Sequence, residues 1–95
     1  MLAITENAAE AIQTIVASSP KVPEQGGLRI VARSEGEQEK LELTIAAIPA
    51  EDDEVVEEHG AHVFLDPEAA TYLEDKLLDA RVEGDQVEFA LLEQG

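Results

Sequence analysis

The spacing of the apolar residues changes along the chain from a helical repeat to strict alternation, and this change limits the possible fold classes most strongly. Over residues 5–19 the apolar positions recur every three to four residues, which predicts an amphipathic helix. Thr5 is a candidate N-cap, and Pro20 and Pro23 end the helical pattern. From Leu28 onwards the period is two, so strands are expected to follow the helix.

Four of the later segments alternate apolar and polar residues, as half-buried strands do. The first two cover residues 28–33 and 41–46, and the polar stretch 34–39 between them predicts a hairpin loop. If these strands pair antiparallel, we expect Arg33 to lie opposite Glu42. The last two segments predict a second hairpin, in which every second residue is one of Leu78, Ala80 and Val82, and then Val87, Phe89 and Leu91.

Between the two hairpins the sequence predicts a short strand at 55–56, a turn at His59-Gly60 and a buried strand at 63–65. Asp66-Pro67-Glu68 has the residues of a helix start, and this second helix is expected to run to about Asp75. Two helices and about six short strands indicate an α+β fold in a single domain, 1–95. No internal repeat, low-complexity tract or linker is apparent.

The chain is strongly acidic, with 22 acidic and 6 basic residues and a formal net charge of −16. This charge argues against binding to nucleic acid and to anionic membranes. No apolar run approaches the roughly 20 residues of a transmembrane helix, and the N-terminus lacks a signal-peptide pattern, so a cytoplasmic location is expected. The acids are interpreted as a solvated surface suited to solubility or to a salty cytoplasm; attraction of cations or of a basic partner is the alternative.

Two segments resemble the signatures of the HesB/A-type (IscA-like) iron–sulfur cluster assembly family. Residues 27–36 resemble the first strand and following turn of that family, and residues 60–73 resemble its second signature. The resemblance covers about residues 2–92. It implies a compact HesB-like α+β domain with mostly antiparallel β-sheets and two flanking helices.

The residues that carry the chemistry of that family are replaced here. In the family a cysteine follows the glycine that matches Gly36, and a Cys-Gly-Cys pair lies near the C-terminus. This sequence has Glu37 at the first position and contains no cysteine. Iron–sulfur clusters are held by soft thiolates, and a carboxylate is a hard ligand, so Glu37 is interpreted as a solvated loop residue beside Glu35 and Glu39. We therefore expect no cofactor and no enzymatic activity, but a binding or adaptor module of the iron–sulfur biogenesis family.

The alternative function is binding of iron or another divalent cation through carboxylates and histidines. The candidate ligands are the two histidines, His59 and His62, and the acidic loop residues Asp52 and Asp53. Two features oppose this alternative: the histidines flank a turn into a strand, and the acidic loop lacks the calcium-loop pattern. The identity of any protein partner is unknown from the sequence, and a homo-oligomer is left open.

Overall fold

The computed structural model describes residues 1–23, 25–36 and 38–94, which form seven strands and two helices. The interpretation of Glu37, and of the side chains of Glu35 and Glu39, lies outside the described residues. In chain order the elements are β1 (Ala3–Ile4), α1 (Glu6–Ala17), β2 (Gly27–Glu35), β3 (Gln38–Ala46), β4 (Glu54–Glu58), β5 (Ala61–Leu65), α2 (Pro67–Tyr72), β6 (Lys76–Glu83) and β7 (Gln86–Glu93).

Both helices begin at the predicted caps. The Thr5 hydroxyl accepts a hydrogen bond from the Ala8 amide at 3.1 Å, and the Asp66 carboxylate accepts one from the Ala69 amide at 2.9 Å. Helix α2 ends at Tyr72, earlier than the expected Asp75, because the chain from Lys76 is already paired in a strand. Neither described helix has the length and apolar character needed to cross a membrane.

The strands form a four-stranded sheet in the order β3-β2-β5-β4 and a three-stranded sheet in the order β1-β6-β7. The α+β prediction is therefore confirmed, and both predicted hairpins are antiparallel. Two pairings are parallel, however: β1 with β6 and β2 with β5. Each joins strands that are distant in the sequence, so no local turn signal could have predicted it.

The first hairpin turns more tightly than the sequence suggested. Glu35 pairs with Gln38, so the strands continue through most of the predicted loop. Arg33 consequently lies opposite Lys40, and the expected opposition to Glu42 is wrong by two residues. The Arg33 Nε atom still reaches the Glu42 carboxylate diagonally at 3.3 Å. Gly36 has a φ of 62°, a left-handed conformation that suits glycine in a two-residue hairpin turn.

An internal repeat relates the two hairpins, which corrects the expectation that there is none. Residues 32–43 read ARSEGEQEKLEL and residues 80–91 read ARVEGDQVEFAL, so six of the twelve positions are identical. The two turns match as well, since Gly36 and Gly84 share the same φ of 62°. Two acidic segments of twelve residues are too short to give a clear repeat signal until their matching turns are seen.

The repeat extends to the strand that precedes each helix. Strand β1 pairs in parallel with β6 of the second half, and β5 pairs in parallel with β2 of the first half. The registers correspond, because Ile4 lies beside Leu78 and Leu65 lies beside Ile30. Each half of the chain therefore contributes one strand to the sheet of the other half, and the two halves are interlocked.

The two helix caps also bind across this interlock. The Thr5 amide donates to the Leu78 carbonyl at 3.0 Å, and the Asp66 amide donates to the Ile30 carbonyl at 3.2 Å. The Asp66 carboxylate accepts a second hydrogen bond from the Ala32 amide at 3.2 Å, in addition to its bond from α2. One carboxylate thus caps a helix and secures a strand of the other half.

At the matching junction, where α1 begins, Thr5 and Asp79 together make the kinds of hydrogen bond that Asp66 makes alone at the start of α2. Thr5 caps α1 and its hydroxyl donates to Asp79 Oδ1 at 2.7 Å, while the same oxygen accepts from the Ala80 amide at 2.9 Å. These hydrogen bonds, the Thr5 hydroxyl foremost, lower the pKa of Asp79.

The core lies between the inner faces of the two sheets and the helices. Strands β2 and β5 bury their inner residues almost completely, whereas the edge strands are less covered: Leu43 on β3 is 39% exposed and Phe89 on β7 is half-buried. Phe64 is 1% exposed but points to the opposite face of its sheet from Val63 and Leu65, between Arg29 and Val55 in the neighbouring strands.

The two phenylalanines should therefore contribute unequally to stability. We expect Phe64→Ala to lower the free energy of unfolding by about 3–5 kcal/mol, because a fully buried aromatic side chain is lost. Phe89→Ala should cost about 1–2 kcal/mol, because that ring is only half-buried. Urea denaturation of both variants measures the difference, and a larger loss for Phe89→Ala would contradict the observed burial.

The double role of Asp66 predicts a stability loss larger than an exposed acid would give. Asp66→Ala removes the cap of α2 and leaves the Ala32 amide without its partner, so we expect a loss of about 2–3 kcal/mol in the free energy of unfolding. Glu74→Ala, at an exposed acid just beyond the same helix, is the control and should change stability by less than about 0.5 kcal/mol. Equal effects would show that the cross-half bond contributes nothing.

Candidate functional site

Asp53, one of the candidate metal ligands, is bound by an arginine. Arg29 Nε lies 2.8 Å from Asp53 Oδ2, and Arg29 Nη2 lies 3.1 Å from Asp53 Oδ1. The Asp53 side chain is 1% exposed, and it also accepts a hydrogen bond from the Ala50 amide at 2.8 Å. The Arg29 hydrogen bond holds the pKa of Asp53 below its usual range, although burial opposes that shift. Asp53 thereby anchors the loop before β4 to the sheet.

Asp52 in the loop and His59 in the turn are exposed, unlike the side chain of Asp53. Asp52 is exposed and neighbours the anchored Asp53. His59 is also exposed, has a left-handed φ of 53°, and accepts a hydrogen bond from Gln13 Nε2 through its carbonyl oxygen at 3.0 Å. His59 therefore contributes its backbone to the packing of the β4–β5 turn against α1, while its imidazole faces solvent.

His62 is the candidate with the most specific surroundings. It lies opposite Glu57 across the β4–β5 hairpin, and its Nε2 atom is 2.7 Å from Glu57 Oε2. Its Nδ1 atom is buried and has no hydrogen-bond partner among the residues that the structure describes. With Nε2–H donated to the carboxylate, a neutral His62 carries a free lone pair on Nδ1, the form in which imidazole binds metals or accepts hydrogen bonds.

The structure does not gather the four candidates into one site. Among residues 1–23, 25–36 and 38–94, no three histidine, aspartate or glutamate side chains come together in a way that could hold a metal ion. Glu57, the partner of His62, was not among the four candidates. The tight His59-Gly60 turn was the signal that could have identified it, because a two-residue turn places Glu57 and His62 opposite each other.

A cleft of about 760 Å³ adjoins His62, between the second half of α1 and the start of β5. Periodicity along the sequence could not reveal it, because its walls come from three separate segments. Its lining consists of Ile12, Gln13, Val16, Ala17, Val22, Gln25, Gly26, Gly60, Ala61 and His62.

The tip of the first hairpin is the place where the resemblance locates a cysteine. Gly36 is exposed there, and a side chain at its position would meet no atom within 4 Å. The internal repeat gives the second hairpin an equivalent tip, where Asp85 follows Gly84 just as Glu37 follows Gly36. Both tips are therefore acidic, and the residues present offer no thiolate at either.

Comparison with known structures finds the same fold in iron–sulfur cluster proteins. The crystal structure of SufA from Escherichia coli, involved in biosynthesis of iron–sulfur clusters, is similar with a TM-score of 0.77 and 25% sequence identity, over 99% of this chain and 87% of that chain. IscA with a [2Fe-2S] cluster is also similar in fold, with a TM-score of 0.77 and 20% identity, over 98% of this chain and 85% of that chain.

A comparison with curated proteins finds no match. The family model for iron–sulphur cluster biosynthesis, in contrast, matches residues 1–91, almost the whole sequence. This match agrees with the fold, the glycine at the first hairpin turn and the Asp66 helix start. The chain belongs to the iron–sulphur cluster biosynthesis family, as a member without cysteine.

Proposed function

We propose that this chain acts in iron–sulfur cluster assembly as a non-catalytic binding or adaptor module, and that it does not hold a cluster itself. The observation that carries the proposal is the combination of an intact family fold with a sequence free of thiolates. What such a fold can still offer is its surface, so its role is to bind another protein.

Ligand chemistry supports the part of this proposal that concerns the absence of a cluster. Iron bridged by sulfide prefers soft anionic donors, and the sequence has neither cysteine nor more than one methionine. Carboxylates are abundant but hard, and one of the candidate ligands, Asp53, is already held by Arg29. In the sequence, Glu37 follows Gly36 where the family resemblance expects a cysteine.

The fold itself supports the other part of the proposal, the role as a binding module. Its stability rests on buried aliphatic residues and on the hydrogen bonds that interlock the halves, none of which involves a cluster ligand. A protein that folds without its cargo can persist as an interaction module after the cargo site is lost.

Cluster reconstitution tests the absence of a cluster directly. After anaerobic incubation with iron, sulfide and a thiol reductant, followed by desalting, we expect no stoichiometric charge-transfer absorption and no bound acid-labile sulfide, because no protein thiolate is available. IscA, whose crystal structure contains a [2Fe-2S] cluster, is treated in parallel as the positive control. A stoichiometric, sulfide-containing chromophore on this chain would overturn the proposal.

The adaptor role needs a protein partner. We expect affinity capture from a lysate of the source organism, followed by mass spectrometry, to enrich proteins of iron–sulfur cluster assembly. A capture that enriches no such protein, repeated with chemical cross-linking to retain weak partners, would count against the adaptor role.

Binding of iron or another divalent cation is the second candidate function, and one observation favours it. His62 has a buried, unpartnered Nδ1 atom, and its Nε2 is oriented by Glu57, which is the arrangement of many metal-binding histidines. Asp53 is the weakest of the other candidates, because binding a cation would require it to leave Arg29.

Substitutions of Asp52 and Asp53 distinguish a cation-binding loop from a structural anchor. We expect Asp53→Asn to lower the free energy of unfolding at pH 7 by about 1–2 kcal/mol, because the charged hydrogen bonds to Arg29 weaken, whereas Asp52→Asn should change it by less than about 0.5 kcal/mol. Millimolar magnesium, manganese or calcium at matched ionic strength should not alter this difference. Saturable stabilisation by one of these ions that His62→Gln or Asp52→Asn removes would favour the cation function instead.

The lowered pKa of Asp53 predicts how the difference in stability between the wild type and Asp53→Asn depends on pH. A carboxyl group whose pKa is lower in the folded state contributes stability above its unfolded pKa, about 3.9, and loses that contribution as the pH falls through its folded pKa. The stability advantage of the wild type over Asp53→Asn should therefore be constant near neutral pH and shrink below about pH 4. An advantage that grows on acidification would contradict the anchoring role.

A further inference from the structure

The outer edge of β7 is a long and largely apolar sheet edge. Strand β7 lies at the end of the three-stranded sheet, and among the described residues only β6 pairs with it. Five of its eight residues are apolar, and Leu92 on its outer face is 46% exposed. Long, unpaired and apolar edges are the places where a further strand can add to a sheet.

The register shows which backbone groups of β7 are free to pair. Glu83 lies opposite Gln86 at the turn, and the Gln94 amide donates to the Asp75 carbonyl at 3.1 Å just beyond the strand. In an antiparallel ladder alternate residues bond to the neighbour, so the even-numbered residues of β7 bond to β6. The amides and carbonyls of Val87, Phe89 and Leu91 therefore point away from β6, along the open edge.

The repeat supplies a natural comparison, since β3 is the equivalent edge of the other sheet. Strand β3 contains Lys40, with Arg33 directly opposite on β2, and charged lysine on an edge opposes further pairing. Strand β7 contains no basic residue, and its acids are Glu88 and Glu93. The two edges have matching registers, but β3 carries a lysine beside its two glutamates, whereas β7 carries two glutamates and no basic residue.

Charge decides what kind of strand fits this edge. The β6–β7 hairpin carries five acids and two bases over residues 76–93, and the whole chain carries −16. A second copy would bring the same negative charge to the contact, whereas a basic segment would be attracted to it. The exposed Leu92 and the half-buried Phe89 offer apolar contacts on either side of the edge.

We propose that the open edge of β7 binds an extended, basic segment of a protein partner, which pairs with Val87, Phe89 and Leu91 as an additional strand. This inference rests on the proposed adaptor function and names the surface that performs it. Backbone hydrogen bonds supply the affinity, and alternating basic and apolar side chains of the segment supply the selectivity.

Titration with defined peptides tests the site without knowledge of the partner. The probe is a capped nine-residue peptide of alternating lysine and valine, followed by ¹H–¹⁵N NMR of the whole chain. We expect saturable shifts centred on the amides of Val87, Phe89, Leu91 and Glu93, with a Kd that rises with salt. The same peptide with its two central valines replaced by proline should not produce these shifts, because it cannot pair as a strand.

The repeat also provides matched variants. Leu92→Lys places a positive charge on the β7 edge and should weaken the peptide at least about tenfold. Thr44→Lys adds the same charge at the equivalent exposed position of β3 and should leave the Kd within about twofold. Because both positions are exposed, neither variant is expected to unfold the protein.

Three results would overturn the proposal: shifts confined to the acidic loop at 51–58, equal weakening by Leu92→Lys and Thr44→Lys, or dimerisation through β7 that excludes the peptide. The titration involves neither iron nor sulfide, so its failure would defeat the β7 site alone. A reconstituted cluster would defeat the proposed function alone.

Discussion

The exchange of strands between the two halves is the interaction on which the rest of the structure depends. Strand β1 completes the sheet of the second hairpin, and β5 completes the sheet of the first. At each junction a helix cap, Thr5 or Asp66, binds the hairpin of the other half through its amide, and Asp66 also does so through its carboxylate. Neither sheet is complete within one half, so the two halves are expected to fold together.

This interlock explains how the family fold persists without a cluster ligand. Its hydrogen bonds lie at the helix starts and the inner strands, whereas Gly36, the glycine that precedes the family's first cysteine position, is exposed at a hairpin turn. The absence of cysteine therefore leaves the described packing intact. What remains for function is the outer surface: an acidic shell, a cleft beside His62 and the apolar edge of β7. Of these, β7 has backbone groups free to bind another chain.

Much of the fold could be predicted from local signals in the sequence. Periodicity identified α1 and both hairpins, and Asp66-Pro67 identified the start of α2. The parallel pairings could not be predicted, because they depend on residues far apart in the chain, and the turn at Gly36 proved shorter than its polar flanks suggested. The candidate metal residues show the same limit: composition marks Asp53 and His62 as possible ligands, but only tertiary contacts show Arg29 on the first and Glu57 on the second.

The interlocked halves are expected to form one cooperative fold that needs no metal or cluster. Native-state hydrogen exchange of the chelator-treated protein tests this claim most directly, at the amides of Thr5, Ala32 and Asp66, which bond across the halves. We predict that all three exchange only through global unfolding, with the same free energy and the same denaturant dependence. Separate, lower opening energies for the two halves, or protection that develops only when iron and sulfide are added, would contradict the account.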